Sequence, residues 1–131
     1  PCGVIAIRWN KFLLIKINIF TWKLILKRLS ARCNVVMRSI DLSSILCPCC
    51  GEAQEDVVHL FLKCSLAKES WQKFAKWVDI SIPNFDSIDL LFTWVDDFTA
   101  GNFRRLIMDS MCVTLIWVLW TYRNVLVFGN V

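Results

Sequence analysis

The sequence contains little glycine and proline, a single histidine and no long uninterrupted apolar run. Its four glycines and three prolines among 131 residues exclude collagen-like and flexible low-complexity classes. The apolar run between Asp109 and Arg123 is shorter than the roughly 20 residues of a membrane-spanning helix, and Lys16 and Lys23 interrupt the other apolar stretch. We therefore expect neither stretch to span a membrane. Because 56% of the residues are hydrophobic and 20% are charged, the composition excludes disorder and favours one domain with a sizeable core.

Acidic residues are absent from the first forty positions, which contain eight lysines and arginines. The rest of the chain has seven basic and eleven acidic residues, so the net charge of +4 conceals a strong asymmetry. A segregated basic segment is typical of a surface that contacts nucleic acid or an acidic membrane. A solvated helix face is the other interpretation of the same charges.

A signal peptide is not visible, and the seven cysteines are an odd number. Both features argue against a secreted disulfide scaffold. Three of the cysteines lie within residues 47–50, too close together for independent bridges. We therefore expect an intracellular, reducing location, in the nucleus or cytoplasm, with some of the thiols bound to metal. The isolated Cys2, Cys33 and Cys112 are expected to be buried apolar residues.

The apolar periodicity predicts a mostly α fold, with a strand as the alternative for the first few residues of segment 11–29, which are rich in β-branched side chains. Residues 66–78 form the clearest amphipathic pattern, with Ala67 and Trp71 on its apolar face. A helix over residues 11–29 would place Lys16, Lys23 and Lys27 on one narrow stripe. The remaining predicted helices cover residues 31–38, residues 88–94 and a long segment from Gly101-Asn102 to about Phe128, which is apolar on almost every side.

Four residues form the strongest chemical signal, with the spacing C-x2-C-x8-H-x4-C: Cys47, Cys50, His59 and Cys64. Two thiolates two residues apart can hold one ion from a tight turn, and Gly51 allows the backbone to fold behind it. A histidine and a cysteine from one helical turn then complete a tetrahedron. Four protein ligands leave no open position for water, so we predict a structural zinc ion and no catalytic one.

Two alternatives compete with this ligand set. Cys49 can replace either neighbouring cysteine, although the two-residue gap between Cys47 and Cys50 is the commoner geometry. The other alternative is a group of ordinary buried cysteines around a core histidine. The order of four ligand types within eighteen residues, including the single His59, favours the metal.

The segment Trp94-Val95-Asp96-Asp97 imitates the carboxylate pair of a polymerase active site, which binds two metal ions. That chemistry also needs a strand hairpin and a distant third carboxylate, and the sequence shows neither. We therefore expect Asp96 and Asp97 to lie on an exposed loop, and we predict no catalytic residue in this chain.

The combined motifs resemble the zinc-binding domain downstream of the polymerase in plant LINE-type (non-LTR) reverse transcriptases. The resemblance rests on the cysteine and histidine motif together with Trp9, Lys16–Leu24, Arg28-Leu29, Asn34, Arg38, Glu55, His59-Leu60-Phe61, Ala67-Lys68-Glu69 and Trp71. The tail Trp117–Phe128 is similar to the region that leads toward a ribonuclease H module. Where the family has proline before the Lys-Ile-Asn segment and Pro-Thr after Arg-Leu, this chain has Leu14-Ile15 and Ser30-Ala31, which indicates a diverged copy.

The resemblance implies a zinc-binding domain over residues 1–80 and a helical extension over 81–131. It implies a non-catalytic module of a retrotransposon polyprotein whose parent is an RNA-directed DNA polymerase. The expected partners are RNA or DNA and the polymerase and ribonuclease H modules, with no membrane and no small-molecule substrate. The alternative is a structural linker between those two modules, and a membrane-surface helix over residues 11–29 has the weakest support.

Six basic residues on the predicted helices of the first forty positions are the candidate nucleic-acid contacts: Lys16, Lys23, Lys27, Arg28, Arg32 and Arg38. Lysines and arginines neutralise phosphates with little dependence on base sequence. Phe20 and Trp22 are able to stack on unpaired bases, but aromatic residues on a helix are more often part of the core, which is the interpretation we favour.

Overall fold

The computed structural model describes residues 8–31, 45–98 and 101–129, and helices make up its framework. The α-helices are α1 (Ile15–Ile25), α2 (Ser65–Val78), α3 (Ile88–Asp96) and α4 (Asn102–Phe128), and a π-helical turn spans His59–Lys63. Within these ranges the only β pairing is one isolated antiparallel bridge, between Leu46 and Gln54. The predicted mostly α fold is confirmed.

Helix α1 is shorter at both ends than the predicted helix over residues 11–29. Before it, Asn18 holds the chain in a turn: its Oδ1 accepts from the Asn10 N–H (2.9 Å) and its Nδ2 donates to the Asn10 carbonyl (3.0 Å). After it, Lys27 adopts the left-handed conformation with φ of 59°. The Arg28 N–H then donates to the Lys23 carbonyl at 2.8 Å, which closes a Schellman motif and ends the helix.

The other three helices lie where the periodicity predicts them. The α2 face containing Ala67 and Trp71 is buried, as its spacing predicts. Ser87 caps the start of helix α3, because its Oγ accepts from the Leu90 N–H at 3.1 Å and satisfies one of the free donors of the first turn. The loop at Pro83 separates α2 from α3. The helix predicted over residues 31–38 falls outside the described residues, apart from Ala31.

Helix α4 is the central element, because it packs against α1, α3 and the π-helical turn. Its core face contains buried apolar residues that follow a helical spacing: Met108, Cys112, Val113, Ile116 and Leu119. By length and composition alone, α4 is also able to cross a membrane. In this fold α4 also contains the buried Asp109 and Arg123, which form ion pairs with Arg8 and Glu55.

Four aromatic rings connect α1, the π-helical turn and α4 at the centre of the core. The Phe20 ring lies 6.2 Å from Phe61 and 5.2 Å from Trp117, both edge to face, and 6.3 Å from Trp120. The continuous hydrophobic core extends from Ile17 to Leu119. It therefore includes residues on both sides of position 80, and the division of the chain at that position stays a prediction.

Candidate metal centre

A short hairpin places the first two cysteines of the motif. The Cys47 N–H donates to the Ala53 carbonyl at 2.7 Å, and the Glu55 N–H donates to the Ile45 carbonyl at 2.8 Å. At the tip, the Gly51 N–H donates to the Cys47 carbonyl at 2.7 Å. Gly51 has φ of +69°, a left-handed conformation that glycine adopts without steric cost, as its position behind the cysteines predicts.

The π-helical turn places the other two candidate ligands. The Cys64 N–H donates to the His59 carbonyl at 2.6 Å, the i to i+5 bond that defines this turn. Residues five apart diverge on an α-helix of 3.6 residues per turn, whereas the wider turn brings their side chains to one side. The predicted helical turn is thus a π turn, and its period suits the H-x4-C spacing.

Two side chains fix this turn from outside. The Trp71 indole Nε1 donates to the Phe61 carbonyl at 2.7 Å, which anchors the turn to α2. The Asp56 carboxylate accepts from the His59 N–H at 2.7 Å and caps the start of the turn. Both interactions order the backbone on which the candidate ligands lie.

The four candidate ligand atoms all lie within 4.8 Å of one another. Cys47 Sγ is 4.0 Å from Cys64 Sγ, and Cys50 Sγ is 3.2 Å from His59 Nε2. Two thiolates on one tetrahedral zinc lie about 3.8 Å apart, given Zn–S bonds of about 2.3 Å. The donor set of three thiols and one imidazole, drawn together in this way, fits a structural zinc ion.

The surroundings of the thiols give them different proton affinities in the metal-free site. Burial raises the pKa of Cys47 to about 12, whereas the Glu52 backbone N–H lowers the pKa of Cys50 to about 7. Burial also raises the pKa of Cys49. Zinc binding must therefore displace protons from the buried thiols, so the affinity for zinc rises with pH.

The fold and this cluster define a small helical protein module built around a structural zinc ion. A sequence model of the family described as zinc-binding in reverse transcriptase matches residues 2–71, more than half of the chain. The chain therefore belongs to the family of reverse transcriptase zinc-binding domains. Comparison with curated proteins and with solved structures gave no match.

The four residues that the spacing selects are brought together, and Cys49, although half-buried beside them, is not part of the cluster. The assignment of each ligand stays a prediction. Cys112 is buried in the core, as predicted, whereas Cys2 and Cys33 fall outside the described residues.

The stripe that the sequence predicts for Lys16, Lys23 and Lys27 on one helix is not formed as predicted, because the helix ends at Ile25, before Lys27. Lys16 and Lys23 are exposed on α1, but Lys27 and Arg28 follow the end of the helix, although both are exposed. The early end of α1 at the Schellman motif is the physical reason for this correction. Arg32 and Arg38 fall outside the described residues.

The two aromatic residues of α1 differ in their surroundings. Phe20 is buried, which confirms its predicted place in the core. Trp22 is 43% exposed, so the core interpretation is wrong for this residue. Helix α1 packs against α4, and its Phe20 also contacts Phe61 of the π-helical turn, whereas the Trp22 indole remains accessible.

The carboxylate pair Asp96-Asp97 lies at the end of α3. Asp96 is the last residue of that helix and pairs with Arg8, while Asp97 caps its end, so both lie at a helix terminus and not on the predicted loop. Both side chains are exposed, as predicted. The matched family is a zinc-binding domain rather than the catalytic domain of a reverse transcriptase, which is consistent with the predicted non-catalytic module.

Proposed function

We propose that this zinc module binds nucleic acid and helps to position it for RNA-directed DNA synthesis by the polymerase of its parent polyprotein. A plant LINE-type retrotransposon is the proposed source, and the nucleus or cytoplasm is the proposed location. The observation that carries the proposal is the exposed basic surface formed by Lys16, Lys23, Lys27 and Arg28, in a segment that contains no acid.

Zinc would order the part of the fold that lies behind this basic surface and would not contact the nucleic acid itself. The ion would be held by Cys47 and Cys50 of the hairpin together with His59 and Cys64. It would fix the π-helical turn against the core. Phe61 of that turn contacts Phe20 of α1, on the inner side of the helix that presents the lysines. The metal thus contributes order to the fold, and the lysines contribute the contact with phosphates.

A salt titration of nucleic-acid binding tests the proposal. Replacing Lys16, Lys23 and Lys27 together with glutamine should weaken binding to every sequence alike. It should also reduce the slope of log affinity against log salt by roughly 0.7 to 0.9 per lost phosphate contact. The matched control replaces three exposed lysines of α2, namely Lys68, Lys73 and Lys76. Equal binding by the wild type and the α1 triple variant, at every salt concentration, would contradict the proposal.

A second candidate function is that of a structural linker between the polymerase and ribonuclease H modules. The outer side of α4 supports it, because Val118, Tyr122, Leu126 and Phe128 are exposed and suit docking on a neighbouring module. Failure of the α1 triple variant to change binding, together with capture of the purified polymerase or ribonuclease H module by the full chain, would favour the linker.

A further inference from the structure

We infer that the outer side of α1 binds single-stranded nucleic acid and that Trp22 stacks on an unpaired base. This inference rests on the proposed function and deepens it, because it names the class of strand and the residue that contacts its bases. The observation behind it is an exposed tryptophan inside a groove whose other lining residues are mainly cationic.

The Trp22 ring has an accessible face. In the described part of the chain, no aromatic ring and no cation packs on Trp22, whereas Trp117 and Trp120 are engaged with Phe20 and with the cations Lys16 and Arg123. A base can therefore approach Trp22 without displacing a neighbour. Such stacking is possible for every base, because each base has a π face.

Three cationic residues line the groove that contains this ring. The groove of about 680 Å³ beside α1 is lined by Trp22, Lys23, Leu26, Lys27 and Arg28, and none of the acidic residues that the structure describes lines it. A stacked base would thus bring its own phosphates within reach of several positive charges. The other highly exposed tryptophans, Trp9 and Trp77, do not line this groove.

A second groove continues the basic surface toward α4. Its volume is about 340 Å³, it shares Lys23 and Arg28 with the first groove, and Lys16 lies over the Trp117 ring at 5.9 Å. Among residues 8–31, 45–98 and 101–129, no acidic side chain lines this second groove. The two grooves form a continuous path along α1 that suits a strand with several phosphates.

An exposed tryptophan in a groove that cations also line favours a single strand over a duplex. In a duplex the bases are paired and stacked on one another, so an aromatic side chain reaches a base face only after the base is extruded. A single strand exposes its bases without that cost. A surface that contacted duplex phosphates alone would need the lysines but not the indole.

The test compares three ligands on the zinc-loaded full chain: a thymidine oligonucleotide, an abasic strand of the same length, and a duplex. Trp22→Leu should weaken binding of the thymidine strand by about 5- to 100-fold and leave the abasic strand unchanged. Trp22→Phe should retain most of the affinity, and Trp77→Leu is the matched control at an exposed tryptophan on α2. Zinc content should be equal in all variants.

The outcomes separate this inference from the proposed function. If Trp22→Leu changes the affinities for the thymidine and abasic strands equally, or changes neither, the stacking inference is wrong. If the Lys16, Lys23 and Lys27 variant weakens all three ligands in that case, the proposed function stands without stacking. If that variant changes none of them, both are wrong. Tighter binding of the duplex than of the thymidine strand by the wild type would also overturn the inference.

Discussion

Arg123 on α4 forms a buried, bidentate ion pair with Glu55 at the end of the hairpin that contains Cys47 and Cys50. Its Nε and Nη2 donate to the two carboxylate oxygens at 2.7 Å each, and Nη2 also donates to the Ser30 carbonyl at 3.1 Å. The guanidinium lies 4.8 Å from the centre of the Trp120 ring. One side chain thus connects α4, which lies beyond the family match, to the hairpin and to the segment after α1.

This ion pair predicts a large loss of stability when one partner is removed. Arg123→Met leaves the Glu55 carboxylate buried without its guanidinium, which should lower the free energy of unfolding by about 3 to 5 kcal/mol. Urea denaturation of the zinc-loaded chain measures this value. The double variant Arg123→Met with Glu55→Met should lose less than the sum of the single changes. Additive losses would contradict a direct pairing of the two side chains.

The ligand assignment predicts different effects for neighbouring cysteines. His59→Ala and Cys64→Ser should each reduce the zinc content below one ion per chain and lower the helical content, because the ion orders the turn that leads into α2. Cys49→Ser should retain one zinc per chain. Elemental analysis and circular dichroism measure the two quantities. Loss of zinc from the Cys49 variant alone would show that the assignment of the hairpin ligands is wrong.

Local periodicity explains which parts of this fold are predictable from the sequence. The amphipathic pattern around Ala67 and Trp71 places the start of α2 within one residue, because its signal is contained in the helix itself. The ends of α1 depend instead on the contacts of Asn10 with Asn18 and on Lys27 in a left-handed conformation. The hydrophobic periodicity predicts neither feature.

The candidate site also has a part that is predictable from local sequence and a part that depends on contacts between distant residues. The four candidate ligands lie within eighteen residues, and their spacing alone is informative. The pair of Glu55 and Arg123 joins residues 68 positions apart, so no local pattern can reveal it. The exposure of Trp22 is equally a tertiary property, because it depends on which side of α1 meets α4.

Cys112 provides a probe of the core that is independent of zinc. Burial, with a smaller contribution from the Asp109 charge, raises the pKa of the Cys112 thiol to about 12. Below that pH the thiol stays protonated, and only the thiolate is nucleophilic. At neutral pH the folded chain should therefore leave Cys112 unmodified by iodoacetamide, and urea should expose it to rapid labelling. Mass spectrometry of the peptide that contains Cys112 measures both rates, and rapid labelling of the folded chain would contradict the packing of α4.

Lys27 combines backbone strain with a predicted role in binding, so its replacement should separate stability from function. A residue other than glycine in the left-handed conformation at φ of 59° costs roughly 1 kcal/mol, and glycine removes that cost. We expect Lys27→Gly to raise the free energy of unfolding by about 0.5 to 1 kcal/mol, since the Schellman hydrogen bonds of the backbone remain.

The same substitution removes one cation from the Trp22 groove, so binding of single strands should weaken and its salt dependence should decrease. Lys27→Gln is the matched control, because it removes the charge and leaves the backbone strained. It should reduce binding as much as glycine does while leaving the stability close to that of the wild type. Stability that falls in the glycine variant would contradict the left-handed end of α1. If both variants bind as tightly as the wild type, Lys27 is not part of the nucleic-acid surface. Nucleic-acid binding would then not explain why a lysine occupies a left-handed position that favours glycine.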